Sequence, residues 1–186
     1  MNRSDATRQH AQAEDRQSEE LLEEAFLRYQ NDLLGMLYYL LGNVDDARDV
    51  FQEAFVKCWR RRESVAQVEN LRAWIFRVAL NAGRDARSTA WRRRRRPLPE
   101  DEAMLIARDA PPEAEVARRE QLALIRRALL DLRPEEQEVF LLRQNGQMTY
   151  EEIARAINIP VGTVKTRMRL ALSKLRDALE LKTNDP

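Results

Sequence analysis

Cysteine and histidine occur once each in this chain of 186 residues, aromatic residues make up 6%, and there are five glycines and seven prolines. Each scarcity excludes something. Cys58 alone cannot form an internal disulfide, and its place on an apolar helical face makes it a buried thiol. His10, in a polar tail, cannot anchor a metal site or a catalytic triad, so neither a metal nor a cofactor is expected. Paired carboxylates on an apolar pocket and a glycine-rich phosphate loop are missing too, which leaves an enzyme without support. The longest apolar run, Met36 to Leu41, is too short to span a bilayer. Met1 to Ser18 lacks the apolar core of a signal peptide, so the expectation is a cytoplasmic chain with no membrane insertion of its own. Abundant charge with little glycine and proline suits helices better than a sandwich or barrel. The length allows one domain or two small ones.

The formal net charge of +1 conceals strong segregation along the chain. Residues 1–18 have almost no apolar content and read as a disordered tail. From Glu19 to Leu41, Leu22, Phe26, Tyr29, Leu33, Leu37 and Leu40 recur at helical spacing, and Gly42-Asn43 suits a left-handed cap. A second helix, about Asp45 to Arg62, buries Ala47, Val50, Phe51, Ala54, Phe55, Cys58 and Trp59. Its other side carries Asp45, Asp46, Asp49, Gln52 and Glu53 beside an outward Val56. Acids near a helix N-terminus stabilise its dipole. A stripe with only Arg48 and Lys57 nearby nevertheless reads as a protein-binding surface. After a polar loop, Asn70 caps a third helix to about Trp91, with Leu71, Trp74, Ile75, Val78 and Ala82 inward. Another side of that helix aligns Arg77, Asn81, Arg84, Ser88 and Trp91 and leads into Arg92 to Arg96, an electrostatic footprint for a phosphate backbone.

Residues 97–115 contain four prolines and an excess of acid and read as a flexible acidic linker. Roughly twenty residues reach at most about 70 Å, enough to place two DNA-binding domains about two helical turns apart. A second domain, 116–181, begins with a helix carrying Val116, Leu122, Ile125, Leu129 and Leu132. Pro134-Glu135-Glu136 starts the next, with Val139, Phe140 and Leu142. Thr149 and Glu152 then form a T-x-x-E capping box, Ile153, Ala154 and Ile157 mark an apolar face, and Asn158-Ile159-Pro160 breaks the helix. In the helix that follows, Val164, Met168, Ala171, Leu172 and Leu175 share one side. Thr163, Lys165, Thr166, Arg167, Arg169 and Ser173 lie opposite or beside it. Two short helices, a tight turn and a basic second helix form a helix-turn-helix suited to a major groove. The fold class is therefore all-α: two small helical domains, 19–96 and 116–181, joined by the linker, the second ending in a helix-turn-helix.

DARDVFQEAFVKCW (Asp46 to Trp59), LRAWIFRVALNAGRD (Leu71 to Asp85) and LRPEEQEVFLL with TYEEIARAINIPVGTVKTRMRLALSKLR closely resemble an extracytoplasmic-function sigma factor of the sigma-70 family, across about Glu20 to Leu179. The resemblance implies regions 2 and 4 of a promoter-recognition subunit that works when bound to core RNA polymerase and has no catalytic chemistry. It implies that Asp49, Gln52 and Glu53, with Val56 beside them, bind core polymerase. It implies that Arg77, Asn81, Arg84 and Ser88 face the minus-10 element, although the family often has arginine where this chain has Ser88. It implies that Thr163, Lys165, Thr166, Arg167 and Arg169 are available to the bases and phosphates of the minus-35 element. A further implied partner is an anti-sigma factor, which nothing in the sequence identifies. The alternative is a stand-alone helix-turn-helix regulator binding operator DNA as a symmetric dimer, which leaves the acidic stripe unexplained.

Overall fold

The computed structural model describes the backbone of residues 3–93 and 122–183, with side chains described over 16–88 and 122–179. The expected linker 97–115 and the arginines 94–96 lie outside the described residues. Every regular element among the described residues is helical. α1 (Arg3–Leu41), α2 (Val44–Trp59), a 3-10 turn (Arg62–Gln67) and α3 (Leu71–Arg93) make the N-terminal half. α4 (122–130), α5 (Pro134–Gln144), α6 (Tyr150–Ile157) and α7 (Val161–Thr183) make the C-terminal half.

α1 corrects the expectation of a disordered tail through residue 18, since it is helical from Arg3. Its first turns are rich in alanine, arginine, glutamine and glutamate, strong helix formers, and contain neither glycine nor proline. The helix ends as the sequence predicts: Gly42 takes φ 77° and donates its amide to Tyr38 O at 2.7 Å. Asn43 then opens α2, its side-chain oxygen accepting the Asp45 and Asp46 amides at 2.8 and 3.0 Å.

Leu22, Phe26, Leu33, Leu37 and Leu40 of α1 are buried against Ala47, Val50, Ala54 and Cys58 of α2 and against α3. Phe26 meets the rings of Phe51 and Phe55 edge-on, with centroids 5.6 and 5.0 Å apart. α3 buries more than its periodicity suggested, because Phe76, Ala79 and Leu80 join Ile75 and Ala82 inside. The helix packs against α1, α2 and α6 together. Close approach to α1 requires Gly83, where an added Cβ would lie 2.5 Å from Leu40 Cδ2. The loop expected from Arg60 to Asn70 is partly ordered by the buried Val65 and by Arg62 Nε donating to Glu19 at 2.9 Å.

In the C-terminal half, α4 and α7 share a small core of Leu129, Leu132, Ala171 and Leu175. Val139, Leu142, Ile153, Val164 and Met168 belong to the same apolar cluster as the N-terminal half. The two helical units are thus packed on each other. α5 also buries three consecutive polar residues, Glu136, Gln137 and Glu138, at 2, 3 and 5% exposure.

Candidate nucleic-acid interface

The helix-turn-helix is built by local hydrogen bonding. Thr149 N–H donates to Glu152 Oε2 at 2.7 Å, and Glu152 N–H returns a bond to Thr149 Oγ1 at 3.2 Å. The bond from the Thr149 amide holds the Glu152 carboxyl below its ordinary range, against the opposing effect of partial burial. Asn158 closes α6 in the left-handed region at φ 55°, and Ile159 N–H bonds back to Ala154 O at 3.0 Å. Pro160 is the N-cap of α7 and not its first helical residue, since its carbonyl accepts the Thr163 and Val164 amides. Buried Val164, Met168, Ala171 and Leu175 fix the rotation of α7.

That rotation leaves Lys165, Thr166 and Arg169 exposed and Thr163 and Arg167 half-buried. Thr166 donates its hydroxyl proton to Gly162 O at 3.0 Å, so its oxygen faces outward only as an acceptor. Lys165 and Arg169 form no ion pair among the described residues, and both line an open groove of about 520 Å³. Ser173, which the sequence places on the same side as Thr166 and Arg169, lines it too, as do Tyr150, Leu172 and Arg176, which the sequence reading did not assign to the site. Leu172, expected inside, is 49% exposed in this groove. Met168 and Leu175 already fill the buried side, and Leu172 lies about 40° beyond Met168 on the helix, over the rim.

On α3, Arg77, Asn81, Arg84 and Ser88 share a side as predicted, and Asn81 and Ser88 are exposed. Asn70 caps this helix, its Oδ1 accepting Ala73 N–H at 2.9 Å. Ser88 Oγ donates to Asp85 O at 2.8 Å. Arg84 is not open to solvent on all sides. Its Nε donates to Glu138 Oε1 at 2.7 Å, its Nη2 donates to the other carboxylate oxygen, and its Nη1 reaches Asn81 at 3.3 Å. The Glu138 carboxylate therefore raises the pKa of this guanidinium. Neighbouring Arg87 donates to Gln137 Oε1 at 3.2 Å and lies 3.7 Å from Glu138. Helical spacing held a clue to these partners: Gln137 and Glu138 stand four residues before buried Leu141 and Leu142, on the face that goes inside.

On α2, Asp49, Gln52, Glu53 and Val56 are all exposed, Val56 at 44%. Arg48 pairs with Asp45 at 3.3 Å and Lys57 with Glu53 at 2.8 Å, whereas Asp49 has no ion pair among the described residues. No group of His, Cys, Asp and Glu suited to a metal ion occurs among the described residues. No helix there is long and apolar enough to cross a membrane.

The Sigma-70 region 2 family matches residues 25–96, and the Sigma-70, region 4 family matches residues 122–175. The RNA polymerase sigma-E factor of Streptomyces avermitilis is 32% identical over 169 residues, which is 89% of this chain and 90% of that one. The ECF RNA polymerase sigma factor SigW of Bacillus subtilis is 29% identical over 163 residues, 81% of this chain and 84% of its own. The fold is similar to that of the sigma factor RpoE of Bartonella quintana, solved in complex with the anti-sigma factor NepR. The TM-score there is 0.68 at 21% identity, over 85% of this chain and 96% of that one. With two region matches in order and relatives matched over nearly their whole length, this chain belongs to the extracytoplasmic-function (ECF) sigma factors of the sigma-70 family.

Proposed function

We propose that this chain binds core RNA polymerase and directs promoter-specific initiation, with α7 reading the minus-35 duplex and α3 reading and helping to open the minus-10 element. The observation that carries this reading is the separation of three surfaces with different chemistry: a cationic recognition helix on one half, an arginine-asparagine stripe on the other, and an acidic face on α2. Lys165 and Arg169, without acidic partners among the described residues, supply charge for phosphates, and Thr163, Thr166 and Arg167 stand beside them on the helix that would enter the groove. Asn81 and Arg84 offer amide and guanidinium groups to unstacked bases, whose extrusion costs a few kcal/mol per step. Asp49, Gln52, Glu53 and Val56 form the surface for core polymerase. Sigma factors are non-enzymatic initiation factors, and this chain acts through binding alone. A relative in fold was solved with an anti-sigma factor, which makes such a protein a natural partner of this chain as well.

The test is run-off transcription from a genomic fragment library with purified core polymerase, with and without the chain. Discrete new start sites sharing two upstream elements are expected. Absence of new transcripts, together with tight binding of the chain alone to a palindromic site, would replace this reading by that of a stand-alone regulator.

A further inference from the structure

Between Arg84 and Arg96 the chain carries seven arginines and one acid, Asp85. A carboxylate on a helix that meets phosphates repels them, so its presence there needs a reason. Burial supplies none, because the Asp85 side chain is 75% exposed. The row of Arg77, Asn81, Arg84 and Ser88 does not include it either.

Asp85 reaches instead across to α2. Lys57 Nζ lies 3.6 Å from Asp85 Oδ2 and 2.8 Å from Glu53 Oε1. One ammonium thus stands between a carboxylate of the face assigned to core polymerase and a carboxylate of the minus-10 helix. The bond to Glu53 raises the pKa of Lys57 against the opposing effect of slight burial, and Asp85 raises it further. Nearby cations are engaged elsewhere. Arg48 pairs with Asp45 at 3.3 Å, and Arg84, next to Asp85 in the sequence, is turned to Glu138. The backbones beneath the trio are fixed, since Ala54 and Cys58 of α2 and Ala79 and Ala82 of α3 are buried in one apolar cluster.

This geometry bears on Glu53. A glutamate and a lysine one turn apart on a helix pair readily. By themselves they would cancel, and Glu53 would be lost to a face that must attract a partner. With Asp85 in place the trio keeps one net negative charge. A network of three charges also holds its geometry where an isolated exposed pair would not.

We propose that Asp85 is a positioning residue for the core-polymerase surface: acting through Lys57, it sets the orientation and the effective charge of Glu53 without touching polymerase itself. The acid on the arginine-rich helix thereby belongs to the binding face of the neighbouring helix. This rests on the assignment of α2 to core polymerase made above.

The test is titration of labelled core polymerase with full-length wild type, D85N, D85E, K57M and the double variant D85N/K57M. At about 50 mM salt D85N binds about threefold more weakly than wild type, the scale of an exposed ion pair held in a network. D85E recovers most of that loss, and the loss shrinks as salt is raised. In the K57M background D85N has no further effect, because the route through the ammonium is gone. Circular dichroism and thermal unfolding of D85N match wild type. Wild-type affinity of D85N overturns the proposal. A loss that persists undiminished in the K57M background overturns it too, since Asp85 would then make a contact of its own. Failure of the wild-type chain to bind core overturns the core-binding reading instead.

Discussion

At the scale of the residue, Glu136 shows how a buried charge is made tolerable. Burial by itself would raise its carboxyl, but the Lys174 ammonium, the Arg133 amide and the Arg133 charge outweigh it and hold the carboxyl below the usual range. A carboxylate lowered on folding contributes stability that is present above its unfolded value of about 4.5 and is lost as pH falls through the folded one. E136Q is therefore expected to cost about 1.5–3 kcal/mol at pH 7, the worth of hydrogen bonds to a charged group. The thermal midpoints of wild type and E136Q should converge as pH drops below about 4.5. A constant gap between the two from pH 7 to pH 3 would refute the charged pair.

At the scale of the element, α2 and α7 each expose a charged face, with Asp49 on the one and Lys165 and Arg169 on the other forming no ion pair among the described residues. The double variant Asp49→Arg, Glu53→Arg alters only exposed positions of α2, so circular dichroism should match wild type while co-purification with core polymerase is lost. Retained binding would remove the acidic face from the core-binding surface. For α7, Lys165→Ala and Arg169→Ala should each weaken binding to minus-35 duplexes of unrelated sequence alike, and each should lower the slope of log affinity against log salt by about one. A loss confined to one base-pair position, of about 1–3 kcal/mol, would instead make that side chain a base reader.

At the scale of the whole molecule, Cys58 reports on cooperativity. It is fully buried between α1 and α2, and desolvation pushes its thiol up to about 12. Modification by a thiol reagent at neutral pH should proceed only at the rate of unfolding of the N-terminal half. Rapid labelling of the native chain, followed by mass spectrometry, would show that α2 detaches locally.

The elements and their ends were legible because the forces that set them are local. The 3.6-residue spacing of Leu22, Phe26, Leu33, Leu37 and Leu40, the Gly42-Asn43 junction, the Asn70 cap and the Thr149–Glu152 box each act within a few residues of themselves. The exposed rows on α2, α3 and α7 follow from the same periodicity. Where local signals were weak, the reading went astray: helix propensity carried α1 back to Arg3, and Leu172 moved to a groove rim because its neighbours already filled the core. The sequence by itself thus determined the helices, their caps and the chemistry of their faces. Only the tertiary structure decided that the two units pack on each other and that Glu138 meets Arg84, because a contact between residues 54 positions apart depends on how two complete halves dock.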